Sequence, residues 1–260
     1  MDLRNWMKNV NDIIIAHRGE SFDAPENTLA AINLAWERGA CAVEIDVHMT
    51  KDKRIVVIHD EDTARVSNRK MIIKKSFFKE LKKLDTGSFK NEKWKGEHIS
   101  SLQEVLKTVP RYGRLIIEIK SNSDLLDRLK IELAKSKLQN SQIEIIAFDS
   151  RTLAKAKRIM PEYRMLWLLD LDYYLPWWLI WKSKNSLIKK TKQLNFDGVD
   201  VWAGKLLTKD FITAFKNSDL LVYTWTVNSP QKSELLISQG IDGITTDRAA
   251  WITEQINKNL

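Results

Sequence analysis

Apolar, β-branched-rich runs alternate with segments of helical period through almost the whole chain. The extended runs fall at 13–16, 42–47, 115–119, 144–148, 164–169, 198–202, 221–227 and 243–246. Their four to seven residues suit strands buried on both faces. Helical spacing fills the intervals at 26–38, 101–109, 124–137, 150–159, 187–193, 208–217, 230–238 and 248–257. Eight strand–helix pairs in 260 residues predict an α/β fold, a closed (β/α)8 TIM barrel, which usually takes about 250 residues. An open doubly wound sheet is the alternative. It calls for a Gly-rich turn after an early strand, and the chain has no GxGxxG.

One further run, 54–59, breaks the alternation. It follows the second strand through Thr50-Lys51-Asp52-Lys53, which predicts a strand hairpinning back beside that strand's end. Residues 61–111 then delay the next barrel strand. They predict a small insertion after the second barrel strand, on the C-terminal face, ending in a helix near Leu102 and Leu106. With no repeat or low-complexity linker, residues 1–260 are expected to form a single domain.

Charge changes this picture in one place. Residues 69–95 carry ten lysines and arginines against Glu80, Asp85 and Glu92, a local excess of seven out of the chain's net +8. A solvated face is the plain explanation. Attraction of an anionic membrane surface or an anionic substrate is the other. Nucleic acid is not expected, because no binding motif accompanies the charge. The single cysteine, Cys41, precludes an internal disulfide, fits a reducing compartment and reads as a small core residue. No secretory leader or membrane span is read from the sequence: the apolar run 173–181 is far shorter than the roughly 20 residues a spanning helix needs. The expected location is cytoplasmic, with peripheral membrane contact.

The polar residues at the ends of the apolar runs carry the chemistry. Glu44 and Asp46 are two apart on one strand, so they share a face about 7 Å apart along it. Glu118 and Lys120 repeat the pattern on the next barrel strand. Strand C-termini are where barrel enzymes gather their catalytic groups. Like charges about 4 Å apart repel by roughly 4 kcal/mol at an effective dielectric of 20, so three clustered carboxylates call for a cation. Oxygen ligands favour a hard ion, Mg²⁺ or Ca²⁺. His17 and His59 each end an apolar run and suit general acid and base roles, worth about 10²–10⁴ in rate. Arg18 and Lys120 suit phosphate oxygens or, equally, pairing with the nearby acids.

The remaining candidates are weaker. His48 is in phase with Glu44 and Asp46 but sits at the strand's exit, as either a supporting or an exposed residue, and His98 is given no role. Pro25-Glu26-Asn27-Thr28 reads as a helix start with proline in the first turn. Trp225 reads as core packing or as a flat apolar wall for substrate. Asp247 reads as a helix cap.

Taken in order, His17-Arg18-Gly19, Pro25-Glu26-Asn27-Thr28, Glu44-Ile45-Asp46-Val47, Val56-Val57-Ile58-His59-Asp60, Ile117-Glu118-Ile119-Lys120, Trp225-Thr226-Val227-Asn228 and Gly243-Ile244-Thr245-Thr246-Asp247 resemble the glycerophosphodiester phosphodiesterase family over nearly the whole chain. The resemblance implies a (β/α)8 barrel and one divalent cation on Glu44, Asp46 and Glu118. It implies His17 and His59 as general base and general acid, Arg18 and Lys120 on the phosphate, and Trp225 on the glycerol side. The family's scheme has the glycerol 2-hydroxyl attack phosphorus, the alcohol leave, and water open the cyclic phosphate. The products are sn-glycerol 3-phosphate and an alcohol. The chain departs from the usual pattern at Arg65-Val66-Ser67, at Ser100-Ser101 and at Ala249, none of which touches the implied catalytic set.

Two substrates are expected: a small-molecule glycerophosphodiester or a lysophospholipid. The second would make the activity lysophospholipase D-like, at a membrane surface. A catalytically silent phosphate-binding barrel and a phospholipase C-like barrel are the remaining alternatives.

Overall fold

The computed structural model describes residues 10–170, 172 and 180–258. Ten strands form one sheet: β1 (Ile14–His17), β2 (Ala42–Met49), β3 (Ile55–Val57), β4 (Ser100–Ser101), β5 (Arg114–Ile119), β6 (Ile143–Ala147), β7 (Arg164–Leu169), β8 (Gly198–Trp202), β9 (Leu221–Trp225) and β10 (Gly243–Thr246). Parallel pairing runs from β1 through β2, β5, β6, β7, β8 and β9 to β10. It returns to β1 with Ile14 opposite Ile244, so eight strands close into the expected barrel. β3 runs antiparallel to the exit of β2, His48 opposite Val56, and β4 runs antiparallel to β3. This is the hairpin expected from the run at 54–59.

Residues between β3 and β5 pack with β3 in a separate apolar cluster of Val56, Ile58, Val66, Ile73, Leu81, Leu84 and Ile99. Val66, one of the departures from the family pattern, is therefore a packing residue of this cluster. Ser101, another, caps the helix Leu102–Leu106: its hydroxyl accepts from Glu104 N while Glu104 reaches back to Ser101 N. That capping box satisfies two otherwise orphaned donors.

Strand alternation divides the core in two. One face of each strand packs on the helices around Val43, Ile45, Val47, Ile117 and Ile145. The other fills the barrel with Ile15, Ala42, Ile116, Ile146, Leu166, Leu168 and Tyr223. Burying each large side chain contributes about 1.5–3 kcal/mol. Below this layer Glu144 is buried and takes Arg114 Nη1 at 2.7 Å, Arg164 Nη1 at 2.8 Å and the Tyr223 hydroxyl at 3.3 Å. The barrel interior is thus apolar in the middle and ionic at the base, which leaves its upper end for the acids and histidines.

The helix after β1 starts later than expected, at Leu29. Thr28 is its N-cap, accepting from Ala31 N, so Pro25 lies before the helix and not in its first turn. The preceding residues instead form a loop with left-handed backbone at both ends: Arg18, Gly19 and Asn27 have φ of 55°, 83° and 59°, and Asn27 N donates to the Arg18 carbonyl at 3.0 Å. A Cβ on Gly19 would lie 2.4 Å from the carbonyl carbon of Ala31, so only glycine lets the chain after β1 press against this helix.

Candidate functional site

Register brings the separated motifs together. His17 lies opposite Glu44 and Asp46 opposite Glu118: β1 and β5 end at or just after His17 and Glu118, and the longer β2 carries Glu44 and Asp46 past them on the inward face. Glu44, Asp46 and Glu118 are buried, and each offers an oxygen within 4.8 Å of the others. The left-handed turn at Asn27 sets Asp46 in place. Asn27 Nδ2 donates to Asp46 Oδ2 at 2.8 Å, and Asp46 N donates to Asn27 Oδ1 at 3.1 Å.

The electrostatics of the three acids are unequal. Burial and the charges of Asp46 and Glu118 push Glu44 well above the usual carboxylate range. Burial and the Asp46 charge push Glu118 up to about 7. Asp46 is also buried, but Arg18, Lys120, His59 and the Asn27 amide hold it down at about 2. Glu44 Oε1 and Asp46 Oδ1 are buried without a hydrogen-bond partner. A hard cation would relieve the repulsion and satisfy both oxygens, so the donor set fits such an ion.

Arg18 and Lys120 stand over this cluster. Lys120 Nζ is 2.9 Å from Glu118 Oε1 and 3.6 Å from Asp46 Oδ1. Arg18 Nη1 donates to Glu26 at 2.7 Å. Its Nε is 3.1 Å from Asp46 Oδ2 but out of line, and it is buried without an aligned acceptor. A buried donor of this kind fits an anionic oxygen.

His17 and His59 are each backed by an aspartate. His17 Nδ1 is 2.6 Å from Asp247 Oδ1, and His17 Nε2 points to Glu44 Oε2 at 3.9 Å. His59 Nδ1 donates to Asp60 Oδ1 at 2.7 Å, leaving Nε2 as the acceptor for Lys120 Nζ at 3.1 Å. Both rings carry the proton on Nδ1 and turn Nε2 to the site. Burial, with the charges of Arg18 and Lys120, moves His59 below its usual value against the pull of Asp46.

Asp247 is therefore no helix cap: its carboxylate takes His17, Ser21 and Asn228. Desolvation works against it, but these bonds and the His17 charge hold it down at about 2. His48 is a buried support, with Nε2 donating to the His59 carbonyl at 3.0 Å and Nδ1 3.3 Å from Ser121 Oγ. His98 Nδ1 lies 3.1 Å from the Leu84 carbonyl oxygen, away from these groups.

A cavity of about 270 Å³ opens between these groups and an apolar wall of Ile146, Phe148, Leu168 and Trp225. Trp225 is packed edge-on against Phe148 at 5.6 Å and Trp202 at 5.1 Å. A wider groove of about 710 Å³ adjoins it along Thr50, Ser121 and Asp124, and His59 and Lys120 line both. The sequence reading missed Asn27, Asp60, Phe148 and Asp247 as parts of this site. The motif order held a signal for Asp247, at the end of a barrel strand, but a cap explained it equally well. The side chains of 173–181 lie outside the described residues. Among the described residues, no helix is long and apolar enough to cross a membrane.

Comparison with known proteins places this geometry. The model of the glycerophosphoryl diester phosphodiesterase family matches residues 17–250. The chain is 31% identical over 250 residues to a glycerophosphodiester phosphodiesterase of Caldanaerobacter subterraneus subsp. tengcongensis, covering 95% of this chain and 98% of that one. It is 31% identical over 252 residues to another from Bacillus altitudinis, covering 94% and 98%. Among solved structures it superposes on an Oleispira antarctica phosphodiesterase in complex with the product sn-glycerol-3-phosphate. That match has a TM-score of 0.84, 26% identity and coverage of 94% and 96%. The Thermotoga maritima glycerophosphodiester phosphodiesterase matches with a TM-score of 0.76, 25% identity and coverage of 94% and 97%. A family match spanning both histidines, all three acids and the closing strand leaves one conclusion: the chain belongs to the glycerophosphoryl diester phosphodiesterase family and is a phosphoric diester hydrolase.

Proposed function

We propose that this protein hydrolyses glycerophosphodiesters to sn-glycerol 3-phosphate and an alcohol, with one divalent cation, Mg²⁺ or Ca²⁺, and two histidines. The observation that carries the reading is the meeting of three buried acids with two His–Asp pairs around one small cavity. Glu44, Asp46 and Glu118 hold the ion, which when bound supplies positive charge to the phosphate and the attacking oxygen. Arg18 Nε and Lys120 Nζ hold the non-bridging oxygens. The glycerol unit lies against Trp225 in the small cavity.

His17 lines only the small cavity, so its Nε2 takes the proton of the attacking glycerol hydroxyl. Asp247 stabilises the imidazolium that results. His59 lines both cavities, so the released alcohol leaves through the wider groove; for this step His59 takes up a second proton, supported by Asp60, and gives it from Nε2 to that alcohol. Water then opens the cyclic phosphate, passing a proton to His59 while the His17 imidazolium returns one to the glycerol oxygen. A diester with an activated leaving group tests the assignment, since such a group departs without a proton donor. His59→Ala should regain most of its lost rate on a p-nitrophenyl diester of glycerol phosphate, and His17→Ala should not. Equal rescue of both, or of neither, refutes the roles.

A second substrate has an observation of its own. Phe22, Phe77, Phe89 and Trp202 are exposed, on segments at or inserted into the active-site face, near the basic run. Aromatic and basic groups together suit a lipid interface, where lysophospholipids would be met. Retention on anionic liposomes supports this second reading; free passage together with cleavage of soluble diesters alone removes it. The single domain 1–260 with 61–111 as its inserted lobe, and a reducing compartment for the lone thiol Cys41, belong to the same proposal.

A further inference from the structure

Asp200 takes no part in the roles assigned above, yet it lines the same small cavity. It faces into the barrel from β8, in register with Leu168 and Tyr223, between the apolar layer and the acids. It is 2% exposed. Its Oδ1 is shut off from solvent with no hydrogen-bond partner, and no ion pair reaches it among the described residues. Burial, with the charges of Glu118 and Glu144, drives this carboxyl well above the usual range. A buried polar group of this kind costs stability unless a ligand completes it. A second orphan lines the cavity: Trp225 Nε1 is buried without an acceptor. One oxygen acceptor and one N–H donor in a cavity with an apolar wall are the complement of a hydroxyl group, which gives one hydrogen bond and takes one.

We infer that Asp200 and the Trp225 indole form a hydroxyl subsite that anchors the terminal, unesterified hydroxyl of the glycerol unit and selects substrates in which that hydroxyl is free. The inference rests on the reading above, in which the glycerol lies in this cavity. It therefore sides with the soluble diester against the second, lipid substrate considered above: 1-acyl lysophospholipids, whose acyl chain occupies that oxygen, are poor substrates. Asp200 acts here on specificity and not on the reacting phosphorus. A site built to bond a hydroxyl rejects an analogue lacking it, because its own buried groups are left unpaired.

The test compares sn-glycerol 3-phosphate with 1,2-propanediol 1-phosphate, which keeps the neighbouring hydroxyl and lacks the terminal one. Their binding to the Mg²⁺-loaded protein is measured by calorimetry, alongside the kcat/KM ratio for the corresponding phosphocholine diesters. Wild type should prefer the glycerol compound by about 10–100-fold on both readouts. The preference should collapse to within about threefold in Asp200→Ala and shrink in the isosteric Asp200→Asn. Equal affinity of wild type for the two phosphates overturns the inference without any variant. So does a preference unchanged by substitution. Binding preference without release of glycerol phosphate from any diester would instead refute the catalytic reading and leave the subsite standing.

Discussion

Removing the carboxylate behind His17 is the sharpest perturbation of the proposed chemistry. Asp247→Asn keeps the side chain's volume and removes its charge. The 2.6 Å contact to Nδ1 is a charge-assisted bond in the short range for such pairs. Losing it leaves the ring free to adopt the wrong tautomer and the imidazolium unsupported. In a deeply buried triad the equivalent change costs about 10⁴ in kcat. The Asp247 side chain is one-third exposed, so solvent screens part of the loss, and a fall on the order of 10²–10³ is expected. At 1.36 kcal/mol per decade that is about 3–4 kcal/mol of barrier.

The assay is release of glycerol 3-phosphate from glycerophosphocholine at saturating Mg²⁺, with a thermal midpoint showing that each variant folds. Because Asp247 acts through His17, the two losses must not multiply: His17→Ala with Asp247→Ala should be no slower than His17→Ala alone, within about threefold. A folded Asp247→Asn enzyme within threefold of wild type, or fully multiplying losses in the double variant, refutes the reasoning.

Two further outcomes follow from the same geometry. Asn27→Ala removes both bonds to Asp46 and puts alanine at φ 59°, so urea unfolding should show a loss of about 2–4 kcal/mol; a loss below 1 kcal/mol contradicts the positioning role. With EDTA present, the thermal midpoint should fall as pH rises from about 5 to 8. Glu118 has its folded value at about 7 against an ordinary 4.5, so the folded chain holds the extra proton across that window and stability declines with pH. Saturating Mg²⁺ should flatten the slope by replacing the proton, and an identical slope with and without the ion counts against the cation site.

What the sequence disclosed and what it hid divide along a physical line. Glu44 and Asp46, or Glu118 and the strand end before Lys120, were legible because a period of two fixes which residues share a face. The barrel was legible because eight buried runs and their helices admit few closures. Asn27 was not, because its role depends on a left-handed φ of 59°, and Pro-Glu-Asn-Thr suits an ordinary helix start just as well. Asp200 was not singled out: alternation within Val-Asp-Val gives it a face but cannot reveal whether a buried acid has a partner.

Asp247 shows the limit most clearly. It and His17 are 230 residues apart and meet only because β10 returns to β1. In an open sheet the first and last of these strands would be two edges, and the same residues could not touch. Barrel closure is thus what completes the His17–Asp247 pair: a lesion confined to the β10–β1 seam should abolish acid–base catalysis while leaving the Glu44, Asp46 and Glu118 cluster, built on β2 and β5, still able to bind its ion.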